Sequence, residues 1–287
     1  MPVGRGLSPA GSPRGAILCP VLLSTFQLTP GIGPWRERQV WAAGVRNWDG
    51  WPAAPEVVLS PRLDGRLREA IAESRAALAA ADADRLAASM PARERWRLYR
   101  SFQADAAFLD IETDGGDVVT AIGVLDRDGP RVYLRGKDLD AFPDATRGWK
   151  VLVTFNGLSF DVPILERAFP GWKAPRAHID LRHLWARLGH QGGLKLLEHE
   201  TGVGRPGHLA GVDGLEAVRL WRRHRQGDRG ALRLLAEYNL YDTVNLKALM
   251  PLGYNRMLER FELPGEKIAE WQRGDVLYDV SKRLLAI

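Results

Sequence analysis

The feature that most restricts this chain is a block of short apolar runs between residues 107 and 180, the first of which ends in acids. Ala107–Ile111 is apolar, Val118–Leu125 is β-branched and apolar, and Arg131–Leu134 alternates. Gly/Asp clusters at 114–117 and 126–130 separate the three, which predicts an antiparallel meander. Lys150–Phe155 predicts a fourth strand leading into a helix from about Phe160 to Ala168, and a short fifth strand ends at Asp180. Helical spacing then dominates over Arg182–Leu188, Leu194–Thr201, Gly214–His224 and Gly230–Leu249. Three strands, helix, strand, helix, strand calls for an α/β architecture, a mixed five-stranded sheet flanked by helices.

The flanking regions read differently. Residues 1–24 are expected to be disordered, because 1–15 are mostly Gly, Pro, Ser and Arg. From 25 to 103 the sequence reads as a helical accessory region with no strand alternation. Its Asp64–Met90 run is Ala-, Leu- and Arg-rich at helical spacing, Pro91 stops that run, and an amphipathic segment Ala92–Phe102 follows. The sheet domain is placed at 104–250 and a helical tail at 251–287.

Composition narrows the classes of function. The lone Cys19 excludes an internal disulfide framework and a cysteine-based zinc site, and fits a reducing cytoplasm. No apolar run approaches the roughly 18–20 residues of a membrane span. The short run Ala16–Leu23 is broken by Pro20 and lacks a small-x-small cleavage site after it, so a secretion signal is not expected. A net charge of +5 is compatible with a polyanionic partner.

Asp110 and Glu112 stand two apart at a strand end, so both carboxylates leave one face about 6–7 Å apart along the chain. Buried carboxylates need a partner, either a divalent metal or an arginine. The second element is Phe155-Asn156-Gly157-Leu158-Ser159-Phe160-Asp161-Val162-Pro163, where Asp161 falls in the first turn of the next helix, a position that the helix dipole also favours. The third is Tyr238-Asn239-Leu240-Tyr241-Asp242, in which Tyr238 and Asp242 share a helix face and Tyr241 points about 100° away, toward packing. Asp180 reads as a helix cap rather than as part of the acidic set. The histidines show no metal-ligand spacing.

Taken in this order, the Asp-Ile-Glu-Thr strand end, the Phe-Asn-Gly-x-x-Phe-Asp-x-Pro-Ile-Leu turn and the Tyr-x-x-x-Asp helix resemble the three motifs of DEDDy 3′–5′ exonucleases. The second motif is similar to that of family B DNA polymerase proofreading domains. The similarity is greatest to the YprB-type ribonuclease H-like family, and it extends to Gly193–Glu198 and to Gly211–Trp221. The resemblance implies a ribonuclease H-like fold and two Mg²⁺ or Mn²⁺ ions. Asp110, Glu112 and Asp242 would hold one ion, and Asp110 would bridge to a second that Asp161 supports mostly through water. Tyr238 would orient the attacking water. The implied reaction is phosphodiester hydrolysis, releasing nucleoside monophosphates from the single-stranded or 3′ end of DNA or RNA. A degenerate nucleic-acid-binding or interaction module of the same fold is the rival reading.

Nucleic-acid contacts are expected from Asn156 and, near loops that follow the core strands, from Lys195 and Arg205, whose plainer reading is a solvated charge. Thr29-Pro30-Gly31-Ile32-Gly33-Pro34 resembles the turn of a helix-hairpin-helix motif, in which Gly31 and Gly33 would offer backbone N–H groups to a phosphate. Glu37 departs from that pattern, standing where a small residue normally packs. The alternative is that this region packs on the sheet domain through its tryptophans. Arg93, Arg95, Arg97 and Arg100 read either as a basic strip or as a solvated helix face.

Overall fold

The run that carries Asp110 and Glu112 is the central strand, β1 (Ala106–Thr113), of a five-stranded sheet. The protein is described from a computed structural model over residues 21–51, 59–209, 214–271 and 280–284. Strands β2 (Val119–Asp126), β3 (Gly129–Leu134), β4 (Val151–Thr154) and β5 (His178–Asp180) complete a sheet of order β3-β2-β1-β4-β5. The first three strands are antiparallel, and β4 and β5 run parallel to β1. Strand β4 pairs with β1 only as far as Phe108. Beyond that point β1 continues alone on this side, and its last residues form an open edge.

The accessory region begins earlier than expected. Val21–Ser24 form a 3-10 turn in which Val21, Leu22 and Ser24 are buried, so the disordered start cannot reach residue 24. Residues 1–20, with Cys19, lie outside the described residues. Helix α1 (Pro34–Ala42) starts after Gly33, with Pro34 in its first turn. The expected single helix Asp64–Met90 is two, α2 (Pro61–Ala79) and α3 (Ala83–Ser89). Ala81 turns the chain with a positive φ of 51° and Asp82 caps α3, so a local capping signal outweighs continuous helical spacing. Ala92–Leu98 is a 3-10 segment leading into the short α4 (Tyr99–Phe102). Trp41, Trp48 and Trp96 are buried in one core shared with the sheet domain. Two of these indoles donate to backbone carbonyls of the amino-terminal turn, Trp41 to Ser24 at 2.9 Å and Trp48 to Thr25 at 2.7 Å.

Around the sheet lie α5 (Phe142–Ala145), α6 (Asp161–Ala168), α7 (Leu181–Arg187), α8 (Leu194–Thr201), α9 (Gly214–Arg225), α10 (Arg229–Arg260) and α11 (Ser281–Leu284). Period-two alternation sorts β1 onto two cores. Leu109 and Ile111 pack with Ile164, Leu165 and Phe142 on one face. Phe108 faces the larger core that contains Leu235, Leu246 and Leu249 of α10, and Asp110 and Glu112 share its parity. The expected boundary at Pro251 is not an element boundary, since α10 runs through it to Arg260. A helix-interior proline forfeits one backbone hydrogen bond. Burial of Tyr254, Met257 and Leu258 on the far side carries the helix on, and Gly253 lets it close onto α7, where an added Cβ would sit 2.6 Å from Leu184.

Gly123 sets how near α10 comes to the acids. It lies opposite Asp110 in the β1–β2 register. A Cβ there would meet Thr243 Oγ1 at 2.2 Å and Asn239 Oδ1 at 2.5 Å, so only glycine lets the helix lie flat on the sheet at this level. Among the described residues, no helix is long and apolar enough to cross a membrane.

Candidate metal centre

Asp110, Glu112 and Asp242 each offer a carboxylate oxygen such that the three atoms lie within 4.8 Å of one another. Strand alternation supplies the first two. Helix α10, held close by Gly123, supplies the third. Glu112 and Asp242 are buried, while Asp110 keeps one edge open to solvent.

Two neighbours fix the strand end. The Asn239 amide donates to Asp110 Oδ2 at 2.9 Å and to the Asp110 carbonyl at 3.1 Å, tying the helix to the acid. Asp161, in the first turn of α6, accepts the Ile111 N–H at 3.1 Å. That N–H belongs to the part of β1 beyond its pairing with β4, so the buried carboxylate completes what the short strand leaves unpaired. Asp161 therefore sits at the edge of the three-carboxylate group rather than within it.

The loop that delivers Asp161 is built by Asp180. Its carboxylate accepts the N–H groups of Asn156 at 2.8 Å, Leu158 at 3.1 Å and Arg182 at 3.0 Å, which makes it both cap of α7 and clamp of the turn. Asn156 adopts a left-handed conformation, φ 70°, and its side-chain oxygen accepts from Arg182 at 2.8 Å. Gly157 approaches Thr154 so closely that a Cβ would lie 2.3 Å from its hydroxyl. The Asn-Gly pair is thus a backbone requirement of the turn.

Electrostatically the cluster carries more negative charge than its surroundings offset. Burial, then Asp242, Glu112 and Asp161 in turn, push Asp110 well above the usual carboxylate range. Burial and Asp242 do the same to Glu112. Burial brings Asp161 up to about 7, against the two backbone hydrogen bonds that favour its charge. Lys195 opposes the rise at Asp110 and Glu112. An all-oxygen, converging and under-neutralised donor set suits a hard divalent cation such as Mg²⁺ or Mn²⁺.

Lys195 and Arg205 are not solvated charges. Both contact Asp242 Oδ1, Arg205 Nη2 at 2.6 Å and the Lys195 ammonium in a short contact. Arg205 Nη2 also lies 2.6 Å from both oxygens of Glu198, which in turn accepts from the Asn245 amide at 2.9 Å. Tyr238 lies beside them, with Lys195 Nζ 4.3 Å from its ring centroid. Burial, then Asp242, Glu112 and Asp110, raise the Tyr238 hydroxyl above its ordinary value, so it stays protonated. Tyr241 packs against the core. Among the described residues, the histidines contribute nothing to the acidic group.

Sequence reasoning missed Gly123, Asn239, Glu198 and Asn245. A signal existed for two of them. Asn239, Asp242 and Asn245 recur at intervals of three on one helix face, where asparagine is a poor helix former and so marks a polar interaction.

The glycine turn packs on α2, where Arg66 donates to the Pro30 carbonyl at 3.2 Å. Gly31 is exposed with φ 100°, its carbonyl accepting from Arg36 at 2.5 Å, and Gly33 starts α1. Glu37 is buried and paired with Arg97 at 2.8 Å, which explains its departure from the small-residue pattern. Arg93, Arg95, Arg97 and Arg100 share neither a basic strip nor a solvated face, since Arg93 is exposed and Arg97 is not. Arg97 is buried against Glu37 and Glu94, and Arg100 binds Glu266 at 2.9 Å.

A mixed sheet in this order, with carboxylates gathered at the end of its central strand, defines a protein of the ribonuclease H-like class. A family model of the RNase H superfamily matches residues 107–253, more than half of the chain, and the chain belongs to that superfamily. No curated protein and no solved structure matches it significantly. Membership implies a nucleic-acid substrate and nuclease-type chemistry.

Proposed function

We propose that the chain is a metal-dependent nuclease of the DEDDy type, hydrolysing single-stranded DNA or RNA from the 3′ end and releasing nucleoside monophosphates. The observation that carries this reading is the convergence of Asp110, Glu112 and Asp242 within 4.8 Å, from a strand and a helix distant in sequence. These three side chains would hold one Mg²⁺ or Mn²⁺, and Asp110 with Asp161 would help to hold a second. When bound, such ions lower the pKa of water and stabilise charge on the leaving 3′-oxygen. Tyr238, kept protonated, orients the attacking water as a hydrogen-bonding group and is not the base. Asn239 holds the Asp110 carboxylate in its rotamer, so the strand end is preorganised for the chemistry. Lys195 and Asn156 would contact the substrate, and the turn at Gly31 and Gly33 would offer a further phosphate contact.

The test is incubation of the purified chain with 3′- and 5′-labelled DNA and RNA, with Mn²⁺, Mg²⁺ or chelator. Mononucleotides released from the 3′ end, with metal only and not by Asp110→Asn, are the expected result. Intact substrates under every condition would refute the assignment. One observation favours the rival reading, a binding module without hydrolysis: Asp242 is already engaged by Lys195 and Arg205. Tight nucleic-acid binding that is indifferent to metal and never followed by nucleotide release would establish it.

A further inference from the structure

Two cations meet one carboxylate oxygen, yet they are not equivalent. Arg205 is the fixed one. Its side chain is 12% exposed, and it spans Asp242 and both oxygens of the buried Glu198. Glu198 is in turn held by Asn245, and Gly202, in the left-handed conformation that ends α8, lets the loop bring Arg205 back over the site. A planar guanidinium set between two carboxylates has little freedom to leave. Removing it would strand two buried acids.

Lys195 is the less anchored one. Its side chain is 38% exposed, and Asp242 is its one carboxylate partner among the described residues. It stands in the first turn of α8, immediately after Gly193 and Leu194, where the helix dipole disfavours a cation. A flexible four-carbon stem carries a compact point charge over the Tyr238 ring. What keeps it there is the negative field of the cluster, which its ammonium partly offsets, favouring the charged forms of Asp110 and Glu112.

We propose that Lys195 is a resident counter-ion, which holds Asp242 while no divalent cation is bound and gives up that carboxylate when one arrives, whereas Arg205 is a positioning residue that keeps Asp242 aimed into the cluster throughout. This rests on the reading of Asp110, Glu112 and Asp242 as cation ligands. A divalent ion brings two positive charges to the oxygen that Lys195 touches, so the ammonium is both redundant and repelled. Released, it remains beside Tyr238 at the solvent side, where a substrate phosphate would approach. The metal site is thereby kept folded and partly neutralised before loading, at the expense of affinity for the ion.

The experiment is a calorimetric Mn²⁺ titration of the full chain as wild type, Lys195→Met, Lys195→Arg and Asp110→Asn, with melting midpoints measured in chelator and in saturating Mn²⁺. Removing a unit charge at this range should tighten Mn²⁺ binding by about tenfold in Lys195→Met, while Lys195→Arg stays within about threefold of wild type. In chelator Lys195→Met should melt below wild type, and in Mn²⁺ the two should converge. Equal or weaker Mn²⁺ binding by Lys195→Met overturns the proposal. If wild type degrades nucleic acid and Lys195→Met binds Mn²⁺ no tighter, the counter-ion role fails alone. Tighter binding by Lys195→Met in a protein that cuts neither DNA nor RNA sustains the counter-ion role and removes the nuclease. Absence of Mn²⁺ binding in every form overturns both.

Discussion

Among the described residues, two buried ionic clusters are built on opposite principles. Where the accessory region meets the sheet domain, Glu37 and Glu94 face the guanidinium groups of Arg97 and Arg187, with the exposed Arg93 also 3.6 Å from Glu94. Every carboxylate oxygen there has a donor: Phe26 N–H at 2.8 Å, the Gln27 amide at 2.6 Å, Arg97 at three nitrogens and Arg187 at 3.2 Å. At the strand end, among the described residues, the ion pairs of Asp242 and Glu198 are with Lys195 and Arg205, and Asp110, Glu112 and Asp161 have no ion pair of their own. The first cluster is complete within the chain and acts as a bolt. The second is short of positive charge, and that shortfall is what would suit it to hold a cation.

The contrast can be broken most forcefully by activity. Asp110→Asn should lower metal-dependent nucleotide release by at least about a thousandfold. Its melting midpoint in chelator should hold or rise, because a carboxylate that folding forces toward protonation is replaced by a neutral amide. A large fall in the chelator midpoint would show the acids to be structural, like those of the bolt.

Arg97→Met is the reciprocal change. It leaves Glu37 and Glu94 buried without their main partner and should destabilise by about 3–5 kcal/mol in urea denaturation, with no dependence on Mn²⁺. A loss under about 1 kcal/mol would mean that the pair contributes little beyond apolar packing.

A third test uses a buried group belonging to neither cluster. Burial lowers His178 to about 4, and its Nε2 lies 2.8 Å from the Thr154 hydroxyl. As pH falls below the ordinary value of 6.5, the unfolded chain takes up this proton and the folded one does not, so stability is present above that value and is lost progressively down to about 4. Denaturation across this window should show a loss of roughly 2–3 kcal/mol that His178→Gln removes. An identical pH profile in the variant would contradict the assignment.

The smallest expected effect sharpens the geometry. Gly123→Ala places a methyl 2.2 Å from Thr243 Oγ1 and should cost about 1–3 kcal/mol as α10 shifts off the sheet. Because Asp242 and Asn239 ride on that helix, Mn²⁺ affinity should fall in parallel. Unchanged affinity would uncouple the helix position from the cluster.

Much of this was legible in the sequence, for physical reasons that differ by element. The succession of strands along the chain and α8 follow from period and turn residues, which are local. Asp110 and Glu112 on one face follow from alternation alone. The split of α2 from α3 was hidden because helical spacing continues across Ala80–Asp82 and only the cap at Asp82 interrupts it. The run of α10 through Pro251 was hidden because burial of Tyr254 and Met257, a tertiary effect, outweighs a local breaker. Lys195 and Arg205 were located but not understood. Their pairing with Asp242 spans 47 and 37 residues of chain, and no spacing rule reaches that far. Gly123 carries no signal by itself, since its role exists only once a helix lies across it.

Anomalous diffraction from crystals grown with Mn²⁺ probes the shortfall of charge most directly. A manganese peak within coordination distance of Asp110, Glu112 and Asp242, with Lys195 turned away from Asp242, is the predicted result. Well-ordered carboxylates with no peak among them, and Lys195 and Arg205 still closed on Asp242, would contradict it.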